Sequence, residues 1–124
     1  YTMENSVFVV LAKLEHILYK SRVYNSIISL NKMFEQQNTH ECELGTWHDA
    51  EGKRRFAQTT SFGKLAAPHE IVHHNANANL AYLDHNAEIT TLNNAQNIIN
   101  NFDHMEKASE ELFGLLDKML QESK

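Results

Sequence analysis

From Ser6 to Gln36 the chain has neither glycine nor proline, and its apolar residues recur in steps of three and four. Val9, Ala12, Tyr19, Val23, Ile27, Leu30 and Phe34 share one face of a helix of about 3.6 residues per turn, so the spacing predicts one long amphipathic helix. The stripe passes through position 16, which is a histidine. An imidazole therefore stands where the pattern asks for a core residue.

The same reading extends along the chain. Residues 37–67 are less regular and hold Gly45, Gly52, Gly63 and the basic run Lys53-Arg54-Arg55. They predict a short helix from about Cys42 to Glu51 that closes near Gly52, a solvated basic loop, and a turn or helix from Thr60 to Lys64. Pro68 then opens a helix, where its missing N–H costs nothing. The inward series of that helix is His69, His73, Ala76, Leu80, Leu83 and Ala87. A final helix is predicted from near Thr91 to about Leu120, with Leu92, Ala95, Ile99, Phe102, Met105, Leu112, Leu116 and Leu120 inward and Ser109 as the weak point. Asn93, Asn94, Asn97, Asn100 and Asn101 fall on its outer face. No stretch alternates with a strand's period of two. The expected fold is all-α: an antiparallel four-helix bundle with an additional short helix carrying Cys42, in one domain over residues 1–124.

Composition narrows the function. The net charge of −5 argues against a nucleic-acid surface, which needs a concentrated positive field. No apolar run is long enough to span a bilayer, and the opening Tyr1-Thr2-Met3-Glu4 lacks the basic and apolar regions of a secretion signal. A first residue other than Met suggests a piece of a longer protein. One cysteine permits no internal disulfide, yet it stands beside 8 histidines.

Three of those histidines, His16, His69 and His73, lie at inward positions. His69 and His73 are four apart, so their rings leave one helix face about one turn from each other. A buried imidazole needs partners for its ring nitrogens. Either each is satisfied separately by a carbonyl or hydroxyl, or the three converge on a metal. Cys42 is open in the same way: a small core residue, or a thiolate favoured at the start of a short helix. Three imidazoles and a thiolate would make a closed tetrahedral set suited to Zn²⁺. His40, His48, His74, His85 and His104 receive no ligand role. The segment from His69 to His73 reads His-Glu-x-x-His, but a zinc protease needs a third ligand downstream and an open position for water, so no enzymatic activity is expected. A di-iron bundle would need inward carboxylates, which the stripes lack.

Cys42-Glu43-Leu44-Gly45-Thr46-Trp47 resembles the C-x-[LF]-G-x-W signature of the chemoreceptor zinc-binding domain family. That family also carries a histidine in its first helix and an H-x-x-x-H pair in a later one, here His16 and His69 with His73. The resemblance covers roughly residues 5 to 118. It implies a bacterial, cytoplasmic, helical and homodimeric domain attached to a chemoreceptor or a diguanylate cyclase, with His16, Cys42, His69 and His73 as zinc ligands. It further implies sensing of zinc, or of hypochlorous acid through the zinc-bound Cys42, with a conformational change passed to the attached signalling domain in chemotaxis. A purely structural zinc site that staples a dimer is the plainer alternative. Trp47 and His48 are candidates for the shell behind the ligands. His48 departs from the family's usual aromatic or aliphatic residue there, which bears on the thiol's reactivity.

Overall fold

A computed structural model of the protein describes residues 3–32 and 43–123, and every regular element among them is helical. The order is α1 (Met3–Ser29), α2 (Glu43–Trp47), a π-turn (His48–Gly52), α3 (Lys53–Phe56), a 3-10 turn (Phe62–Lys64), α4 (Ala66–Ala81), α5 (Ala87–Asn93) and α6 (Ala95–Glu122). Among the described residues, no helix is long and apolar enough to cross a membrane.

The ion pairs and hydrogen bonds between α1, α4 and α6 fix their directions. Lys13 reaches Asp117 at 2.5 Å and Lys20 reaches Glu106 at 2.8 Å, so α6 runs antiparallel to α1. Near the end of α4, Asn79 donates Nδ2 to the Ile98 carbonyl at 3.2 Å and accepts from Asn101 Nδ2 at 2.9 Å. Ser61, just ahead of α4, donates its N–H and hydroxyl to Glu122 at the far end of α6. Thus α6 is antiparallel to α4 as well. Lys32 and Asp84, 2.6 Å apart, tie the chain beyond α1 to the chain beyond α4.

The core has two parts. Val9, Ala12, Phe56, Phe62, Leu65, Leu112, Leu116 and Met119 form one cluster. Tyr19, Val23, Val72, Ala76, Leu80, Met105 and Ala108 form the other. His16 falls between Ala12 and Tyr19, and His69 between Leu65 and Val72, so the buried imidazoles occupy the seam between two apolar halves.

The inner face of α1 follows the periodicity from Val9 through Val23 and then departs from it. Ser26, not Ile27, is fully buried, its hydroxyl satisfied by the Arg22 carbonyl at 2.8 Å. The helix stops at Ser29 rather than running on through Leu30. Leu30 adopts φ 56, and its N–H and that of Asn31 turn back to the carbonyls of Ile27 (3.2 Å) and Ser26 (3.0 Å). That is a Schellman closure built on a residue with a Cβ penalty in the left-handed region. Phe34, placed in the same stripe by the sequence, lies outside the described residues.

The outer face of α1 is apolar too. Met3, Val7, Val10, Leu14 and Ile17 recur in alternating steps of four and three, with Leu11 and Leu18 beside them, and all are exposed. A helix apolar on two opposite faces suits burial from both sides.

The segment after Cys42 is helical throughout rather than ending at Gly52, whose φ is −61. Gly52 matters for space: a Cβ there would come 2.9 Å from Trp47 Cζ3, so the indole lies directly on the glycine backbone. Gly114 in α6 has nothing within 4 Å of the corresponding point. Opposite outcomes follow. Gly52→Ala should lose about 1 kcal/mol in urea unfolding, overpacking outweighing the gain in helix propensity. Gly114→Ala should gain roughly 0.5–1 kcal/mol. Equal shifts in the two variants would refute the packing argument.

The basic run is not a loop either. It forms α3, where Arg55 donates to Glu4 (2.8 Å) and Glu51 (3.2 Å) and lies 4.4 Å from the Phe8 ring centroid, clasping α3 to the start of α1. Arg54 also pairs with Glu51.

The long final helix is broken at Asn94, which has φ −115 and whose Nδ2 bonds the Thr90 carbonyl at 2.9 Å. The inward face departs from the expected series next to the break and rejoins it at Met105, Leu112 and Leu116. Leu92 and Ile99 are exposed and Ile98 is buried, while Asn101 turns inward to Asn79.

Candidate metal centre

The α1 stripe delivers His16 to the interior, and α4 delivers His69 and His73 one turn apart. Their exposures are 1%, 5% and 2%. His69 Nε2 lies 3.1 Å from His73 Nε2, and one ring nitrogen from each of the three residues lies within 4.8 Å of the others. The His16 ring stands edge-on to both, with centroids at 5.6 Å and 6.2 Å.

The polar accounting points to a metal. Among the described residues, neither ring nitrogen of His16 has a hydrogen-bond partner, although both are buried. Leaving such a group unsatisfied costs about 1–3 kcal/mol. Burial, the neighbouring His73 and the Lys20 charge push its pKa down to about 3, against a smaller opposing pull from Glu106. His16 is therefore a neutral imidazole with its lone pair available, the form that binds metals. Nitrogens about 2.0–2.1 Å from a tetrahedral zinc stand roughly 3.3 Å apart, close to the spacing of the α4 pair. The donors are imidazoles, without a carboxylate among the three, so the set suits zinc and not calcium, magnesium or a carboxylate-bridged di-iron centre.

Aromatic rings and charges pack around the cluster. Tyr19, on α1 one turn beyond His16, sets its ring 4.4 Å from that of His73 at an interplanar angle of 33°. Phe113 of α6 stands edge-on to His16 at 6.0 Å, with the ammoniums of Lys13 and Lys20 within 5.9 Å and 5.6 Å of its centroid. Glu106 accepts from Lys20 at 2.8 Å and from the Tyr24 hydroxyl at 2.5 Å. Burial pushes this carboxyl up, but those two hydrogen bonds outweigh it and hold it below its usual range. Burial and the same contact push the Tyr24 phenol upward.

Of the four expected ligands, the structure brings His16, His69 and His73 together. Cys42 lies outside the described residues; α2, which begins at the next residue, packs against α1. Trp47 packs on Gly52 and on Phe56, at 5.9 Å between centroids. His48 stacks on Phe62 at 4.4 Å and 2°, with Nδ1 3.4 Å from Asp49. The sequence reading placed Tyr19 in the core without linking it to the cluster, though its position three residues after His16 on the same face was the available signal. Phe113 fell outside the inward series and left no such signal.

No curated protein and no solved structure matches the chain. The profile of the family described as the chemoreceptor zinc-binding domain matches residues 16–80. That span opens on His16, takes in Cys42, His69 and His73, and covers just over half of the chain. With a buried three-histidine cluster built from the first and last parts of the matched span, the chain belongs to the chemoreceptor zinc-binding domain family.

Proposed function

We propose that this is a cytoplasmic sensory domain of a bacterial chemoreceptor, without catalytic activity of its own, that responds to hypochlorous acid through Cys42. The observation that carries the reading is the buried cluster of His16, His69 and His73, in which His16 finds no hydrogen-bond partner among the described residues. Cys42 is the fourth ligand. Zn²⁺ held by these four residues would keep the Cys42 sulfur a thiolate at neutral pH and join α1 to α4.

The chemistry then belongs to the thiolate. Its sulfur takes the hydroxyl of hypochlorous acid and chloride leaves, giving the sulfenic acid; two thiol equivalents return it to the thiol with loss of water and formation of a disulfide between them. A sulfenic acid is a poorer ligand, so Cys42 withdraws and α2, which begins at the next residue, is free to shift, while the three histidines stay in place. The change reaches the attached signalling domain through α1. The domain works as a homodimer of antiparallel four-helix bundles, the short helical segment that follows Cys42 being an addition to each. The exposed heptad of Met3, Val7, Val10, Leu14 and Ile17 supports pairing of two copies along α1.

The test compares the wild type with Cys42→Ser while hypochlorous acid is titrated in, with thiol mass and released zinc as readouts. The wild type should gain one oxygen at Cys42 and respond, and the serine variant should stay silent with its helices intact. An identical response from both variants defeats the oxidant reading. A change in signalling output on chelation but not on oxidation would favour direct zinc sensing, for instance control of a diguanylate cyclase.

A further inference from the structure

We propose that Tyr19 is a positioning residue for the metal, one that holds the His73 imidazole in its ligating plane and favours its metal-bound form. The inference rests on reading the three-histidine cluster as a zinc site. Tyr19 is 5% exposed and lies on the same face of α1 as His16. Its ring meets that of His73 at 4.4 Å and 33°, closer than any other ring contact described for the three histidines. It thus reaches from α1 to a ligand on α4. In the plane so fixed, His73 Nε2 stands 3.1 Å from His69 Nε2.

The contact does more than fill space. A metal draws electron density from the imidazole it binds, so the bound ring is more positive than the free one. The face of a phenol ring is negative and attracts a positive neighbour. The Tyr19–His73 contact is therefore stronger in the metal-bound state, and it contributes to affinity as well as to packing. A single helix, α1, then supplies one ligand and fixes another, which makes zinc affinity depend on how α1 sits against α4.

The aromatic face, not the hydroxyl, is the operative group, and this sets the test. Zinc affinity is measured by competition with a chromophoric chelator, and the geometry by the visible absorption of the cobalt(II) form. Tyr19→Phe should bind zinc within about threefold of wild type with an unchanged cobalt spectrum. Tyr19→Leu should bind about tenfold more weakly, the scale of one aromatic pair, with a shifted cobalt spectrum. Circular dichroism of the metal-free forms checks the fold, and Tyr19→Met carries the same comparison should the leucine variant lose helix. A leucine or methionine variant that folds and matches the wild type in affinity and spectrum overturns the proposal. So does a phenylalanine variant as weak as leucine. A wild type that binds no zinc sinks the site reading itself, an outcome distinct from either.

Discussion

Replacing His16 with leucine should move two properties in opposite directions. Zinc affinity should fall by more than about 100-fold, since loss of a ligand exceeds the roughly 10- to 100-fold cost of losing a group behind one. The metal-free protein should become more stable. In the wild type without metal, His16 is 1% exposed and has two ring nitrogens with no hydrogen-bond partner among the described residues. Leucine of similar bulk removes that debt and joins Tyr19 and Ala12 on an apolar face. The gain should be about 1–2 kcal/mol, within the penalty range for an unsatisfied buried polar group. The measurement is urea unfolding with a strong chelator present, beside a zinc titration. A leucine variant less stable than wild type without metal would mean that His16 is satisfied as a structural residue, and the metal reading would lose its main support.

Acid should destabilise the metal-free protein by about 2 kcal/mol between pH 7 and pH 5 through His16 alone. Burial, followed by the neighbouring His73 and Lys20, lowers its pKa from 6.5 to about 3. Below pH 6.5 the unfolded chain takes up a proton that the folded chain refuses. Stability therefore falls as pH drops through that window, by up to about 1.4 kcal/mol per pH unit, and the slope ends near pH 3 where the folded state also protonates. Zinc at saturating concentration should leave this contribution in place and steepen the fall, since the folded form then holds every ligand deprotonated while the unfolded chain takes up their protons. His16→Leu should remove its share of the slope altogether. Unfolding curves at pH 7 and pH 5, for both proteins with chelator, decide the matter; identical pH dependence would remove His16 as the cause.

The site was more legible than the fold around it. His16 showed itself because a 3.6-residue period leaves no doubt which face position 16 joins, and the 69–73 pair did so because four residues make about one turn. What the period could not show was where helices stop. The apolar run carried the first helix on to Phe34, but hydrogen bonding at Leu30 and Asn31 closes it at Ser29 despite the cost of a left-handed leucine. The Asn run was read as an outer face. At Asn94, however, the side-chain amide competes for a backbone carbonyl, breaks the helix and displaces the inward face just beyond it, before the expected series resumes at Met105. That is why Ile98 is inside and Ile99 is not. Gly52 was read as a stop because glycine often is one; here its missing side chain makes room for Trp47. The second face of α1 is masked in the sequence by the first, since Lys13, Glu15 and Lys20 interrupt the apolar residues between the two.

That second face limits how this sequence can drift. On α1, six positions are closed to charge by the interior, and Lys13 and Lys20 are committed to α6. Pairing of two copies would close Met3, Val7, Val10, Leu11, Leu14, Ile17 and Leu18 as well. Substitutions that a lone domain would ignore, such as a charge at Leu14 or Ile17, would then be purged. Free variation would gather at Glu15 and Arg22, which lie on neither face. The pattern of tolerated change along one helix would thus record whether a second copy has been present.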